Sequence, residues 1–79
     1  MLIKDKEVRG LKISARNQLK GKIVSINEGA VNGIVKIDIG NGQIIAATIS
    51  LEAIKELGLC VGQEAYAVIK ASSVMVAVD

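Results

Sequence analysis

From Lys20 onward, hydrophobic and polar positions follow the two-residue period of half-buried strands. Lys20–Ile26 predicts a first strand, ended by a loop from Asn27, Glu28 and Gly29 to Asn32-Gly33. Ile34–Ile39 alternates, with Val35, Ile37 and Ile39 on one face and Lys36 and Asp38 on the other. Gly40-Asn41-Gly42 then predicts a hairpin. A two-residue Asn41-Gly42 turn would set Ile39 opposite Ile44 and place Ile45, Ala47 and Ile49 with the polar face. A three-residue loop with Gly42 in the left-handed conformation joins them to Val35, Ile37 and Ile39 instead, and the second choice is preferred. Ile34, Ile44 and Ala46 are still left on the outer face, which points to subunit packing.

The period changes at "SLEAIKELG", the only helix expected. Ser50 is the N-cap, Leu51, Ile54 and Leu57 share a face, and Gly58 closes the C-terminus. Two further strands, Glu64–Lys70 and Val74–Val78, flank a tight Ala-Ser-Ser turn. Short strands separated by glycine turns, plus one two-turn helix, predict an all-β fold: a small OB-like five-stranded barrel. Residues 1–11 mix charges and aliphatics and form an N-terminal arm; residues 12–79 form the domain.

Composition narrows the options. At 79 residues there is room for one domain, and with 1% aromatics its core must be aliphatic. So small a core calls for a disulfide, a metal or a partner subunit. Cys60 is the only cysteine and the chain has no His, so neither an internal disulfide nor a zinc site is available and no protein metal ligands are assigned. Oligomerisation remains. Cys60 is expected to be a small buried hydrophobe. The start lacks a signal-peptide core, and the longest apolar run, Val74–Val78, is too short to span a membrane. A cytoplasmic protein without membrane association is the expectation.

The same inventory bears on activity. Without His, paired carboxylates in a cleft context or a phosphate loop, catalysis is not expected. A net charge of +2, evenly mixed, and a single Tyr66 fit poorly with an OB-like nucleic-acid-binding module, the alternative reading. Two stretches stand out together: Ser14-Ala15-Arg16-Asn17 before the first strand, and Lys70-Ala71-Ser72-Ser73 between the last two. Singly, each reads as an ordinary polar lead-in or turn. Jointly they offer cations, hydroxyls and turn amides but no carboxylate, a set suited to a fully ionised tetrahedral oxyanion. A guest that kept a proton would find no acceptor there, and an unpaired buried donor costs roughly 1–3 kcal/mol.

"SARNQLKGKIVSI", followed by "ISLEAIKELGL" and "VGQEAYAVIKASSVMVAV", resembles the molbindin (Mop) family of small molybdate-binding domains, also called TOBE. The resemblance covers about residues 12–79. It implies an OB-like barrel that binds molybdate, and tungstate nearly as well, in the cytoplasm. It further implies a homohexamer, three dimers about a threefold axis, with oxyanions at subunit interfaces. Carried over by position, the ligands would be Ser14, Ala15, Arg16, Lys70, Ala71 and Ser72.

Overall fold

The computed structural model describes residues 11–79; the expected N-terminal arm falls almost entirely outside them. Strands β1 (Asn17–Glu28), β2 (Asn32–Gly40) and β3 (Gln43–Ser50) form an antiparallel meander, followed by helix α1 (Leu51–Leu57) and strand β4 (Glu64–Ile69). β4 returns to pair with β1, giving one four-stranded sheet in the order β3-β2-β1-β4. The OB-like architecture and the single short helix are as expected.

Strand β1 is long because it serves two partners. Asn17–Lys22 pairs with β4 and Lys22–Glu28 pairs with β2. Gly21 lies just before the changeover. A Cβ there would stand 2.8 Å from Cγ2 of Ile37 and collide with the Asp38 backbone, so the strands approach closely only because position 21 has no side chain. An extra residue in β1, between Ile23 and Ser25, increases its bend. The sheet curls enough that Ala47 and Ile49 of β3 and Ala65 and Tyr66 of β4 line one apolar cavity of about 240 Å³.

Inside the curl lie Ile23, Val35, Ile37, Ile54 and Ala67, the buried core, with Ile45, Ile49, Leu51 and Leu59 packed against them. Helix α1 closes one end of the curl. Ser50 Oγ accepts from the Ala53 amide at 3.0 Å. Gly58 is left-handed (φ 62°), its amide donating to the Lys55 carbonyl and that of Leu59 to Ile54. This Schellman closure returns Leu59 to the core beside Ile54. Leu57, expected on the buried face, is 64% exposed because three turn-spaced positions outrun so narrow a contact.

Three other expectations change. In the hairpin, Val35 and Ile37 face Ala47 and Ile45, so the apolar residues do share a face. The device is a two-residue Asn41-Gly42 turn, both residues at positive φ, with a register shift between Asp38 and Gly40. That shift moves the pairing by the one residue that a three-residue loop would have supplied. Cys60 is exposed, in a turn where its amide donates to Gln63 Oε1 at 2.8 Å. Finally, Val74–Val78 forms no strand: among the described residues the expected five-stranded barrel is a four-stranded curled sheet. The Ala71–Ser73 3₁₀ turn leads into an extended Val74 (φ −89°, ψ 129°), and the chain does not fold back on β4. Strand propensity without a ladder partner leaves Met75, Val76 and Val78 about 90% exposed.

Gly21→Ala is expected to destabilise the domain by about 1–3 kcal/mol, as overpacking does, although φ at this glycine demands no special freedom. Gly42→Ala acts differently: open space surrounds it and only its positive φ resists. Thermal melts of the two variants should show the larger loss at Gly21.

Candidate oxyanion-binding site

The pairing of Asn17 with Ile69 sets the geometry. Because β1 and β4 are antiparallel, the residues just before Asn17 and just after Ile69 leave the sheet at the same end. Ser14–Arg16 and Lys70–Ser72, far apart in sequence, therefore come together at one corner of a single chain. Ser14, Arg16, Lys70, Ala71 and Ser72 are exposed and Ala15 is half-buried.

Each stretch has a local shape that leaves donors available. Lys70 is extended (φ −62°, ψ 138°) and the 3₁₀ turn follows immediately. The turn closes through the Ser73 amide on the Lys70 carbonyl (2.9 Å) and the Val74 amide on the Ala71 carbonyl (3.2 Å). The amides of Ala71 and Ser72, at the start of the turn, are not used in closing it. On the other side, Gln18 Nε2 donates to the Ala15 carbonyl at 2.8 Å and holds the bend before β1. Asn17 Nδ2 donates to the Ile69 carbonyl at 3.3 Å and ties the two stretches together.

Charge is arranged to match. Strand β4 carries one carboxylate, Glu64, at the end away from the corner, where it meets Lys20 Nζ at 3.3 Å. Strand β1 has none before Glu28 at its far end. Both members of the Lys20–Glu64 pair are well exposed, so the pair adds little stability. Its relevance is that the acid lies away from the cations of the corner. Two cavities lie away from the six residues: one, of about 380 Å³, opens over Lys20, Lys22, Asp38 and Glu64, and the other is apolar. Among the described residues, the corner of one chain leaves these donors exposed.

The amide side chains of Asn17 and Gln18 lie outside the six residues expected from the sequence. Their position beside the motif was the available signal; which carbonyls they reach depends on strand register.

A curled four-stranded sheet with one capping helix and a donor-rich corner defines a small OB-like binding domain. The chain belongs to the TOBE domain family, whose model matches residues 13–76. It is 67% identical over 69 residues to a probable molybdenum-pterin-binding protein of Haemophilus influenzae, covering 87% of this chain and 100% of that one. Among solved structures it is similar to MopII from Clostridium pasteurianum (apo form), with a TM-score of 0.80 and 45% identity, over 85% of this chain and 100% of MopII. It is also similar to the cytoplasmic molybdate-binding protein ModG with molybdate bound, with a TM-score of 0.73 and 45% identity, over 78% of this chain and 44% of ModG.

Since Arg16 and Lys70 are exposed, Arg16→Ala and Lys70→Ala should each leave the anion-free melting curve within about 0.5 kcal/mol of the parent protein, as surface substitutions do. A larger loss by differential scanning calorimetry would mean that these cations support the fold itself.

Proposed function

We propose that this chain binds molybdate, and tungstate nearly as well, for storage or homeostasis of the oxyanion in the cytoplasm. The observation that carries this reading is the Asn17–Ile69 register, which brings two acid-free donor stretches to one exposed corner. Arg16 and Lys70 supply charge; Ser14 and Ser72 supply hydroxyls; the amides of Ala15, Ala71 and Ser72 supply direction. The family assignment and the molybdate-bound ModG relative support the choice of guest. The protein acts as a binder, not a catalyst.

Hydrogen bonds to charged groups contribute roughly 1.5–3 kcal/mol each. Four or five of them, after ordering costs, support micromolar or better affinity, about −8 kcal/mol. Sulfate has the same charge but shorter bonds, and a fixed cage sized for molybdate holds it loosely. Tungstate is nearly isosteric and is accepted.

The cage lies at a subunit interface. One chain leaves the donors exposed, so a second copy is required to wall them in, with Ser14–Arg16 of one copy facing Lys70–Ser72 of another. Two further features support assembly. Among the described residues β3 and β4 are the edges of the sheet, and the exposed apolar Val74–Val78 segment matches what such an edge accepts. Ile34, Ile44 and Ala46 add apolar surface outside. The assembly is a homohexamer, a trimer of dimers. Anion bound between subunits stabilises it by RT ln(1 + [L]/Kd), where [L] is the free anion concentration.

Calorimetric titration with molybdate tests the site. Arg16→Ala is expected to lose most of the affinity while native mass spectrometry still finds the parent oligomer; affinity within about threefold of the parent, less than one hydrogen bond's worth, would place the cage elsewhere. A single-stranded oligonucleotide titrated in parallel should give no comparable signal. Mixing Arg16→Ala with Lys70→Ala subunits should restore a fraction of the molybdate sites, since some interfaces then combine an intact Arg16 stretch with an intact Lys70 turn. No recovery would mean that each cage draws both stretches from one chain.

A further inference from the structure

Carbonyl oxygens are the difficulty in an oxyanion cage made largely of backbone. Each stretch that offers amides also carries acceptors, and an unoccupied carbonyl facing a dianion repels it. At this corner two such carbonyls, those of Ala15 and Ile69, each receive a side-chain amide. Gln18 Nε2 donates to Ala15 at 2.8 Å and Asn17 Nδ2 to Ile69 at 3.3 Å. A carbonyl can only accept, so each amide must turn its NH₂ group towards it. Ala15 lies inside one donor stretch and Ile69 immediately precedes the other. Both amides are half-buried and stand on the first two residues of β1.

From this we infer that Asn17 and Gln18 are positioning residues of the molybdate cage: they occupy the carbonyls that border the donors and hold each donor stretch in a fixed orientation at its end of the sheet, and so set size discrimination between oxyanions. The inference rests on the proposed site. Gln18 folds the Ser14–Arg16 stretch onto its own strand, and Asn17 reaches across to the strand that carries Lys70. If Ser14–Arg16 of one copy faces Lys70–Ser72 of another, fixed spacing within each chain also lets two cages related by a twofold axis close together.

The test measures molybdate and sulfate affinities together, by competition calorimetry on the assembled protein. Gln18→Met keeps side-chain length and apolar volume but removes the donor. It should lower the preference for molybdate over sulfate about tenfold, one good hydrogen bond's worth, mainly by weakening molybdate. Asn17→Leu should lower it less, about threefold, because its bond is longer. A residue that merely supports the fold would weaken both anions alike and leave their ratio unchanged. An unchanged ratio in both variants overturns the inference, and should Gln18→Met fail to assemble, Asn17→Leu alone decides by the same ratio. Arg16→Ala serves as the control. If it abolishes molybdate binding while the ratios stay put, only the positioning role falls; if it too binds normally, the site falls with it.

Discussion

Everything in this fold depends on one strand being shared. β1 gives its first half to β4 and its second half to β2, and Gly21 lets it pass close to β2 at the changeover. Without that close passage the sheet could not curl round Ile23, and the aliphatic core would have no inside. The same sharing brings the beginning of the domain beside its end. Core formation and site formation are therefore two results of one pairing, the first at the middle of β1 and the second at its start.

The core this produces is small. Full burial of an isoleucine side chain contributes roughly 1.5–3 kcal/mol, and among the described residues five are buried, with Ile23 alone fully so. Against the backbone entropy of the ordered chain that is a thin margin. The margin also explains the division of labour along the sequence: glycines and cap residues specify geometry that packing alone is too weak to impose. Ser50 and Gly58 do this for α1, and Asn41-Gly42 does it for the hairpin.

Much of this was legible in the residues. The periodicity of Val35, Ile37, Ile45 and Ile49 placed the inner face correctly, and both ends of the helix could be read from Ser50 and Gly58. What could not be read depended on partners distant in sequence. Whether Val74–Val78 is a strand is decided by the presence of an edge, not by its own composition. The hairpin reached the expected pairing by a bulge, because two ways of shifting register by one residue look alike in a pattern of period two. For the site, the donor stretches could be chosen from their chemistry, whereas their arrival at one corner required the β1–β4 register, which no local signal encodes. Cys60 was misplaced for a related reason: an apolar tendency says little about a residue held by its backbone in a turn.

The 3₁₀ turn at Ala71–Ser73 has a consequence for kinetics. It is closed by its own backbone bonds and fastened to the end of a strand, so the Ala71 and Ser72 amides at its start are left out of the bonds that close it. On the proposed function, little chain entropy of this turn remains to be lost on capture. If the proposed interfacial cage forms, uptake would be limited by diffusion of the small ion to the corner, and retention by how seldom neighbouring subunits part.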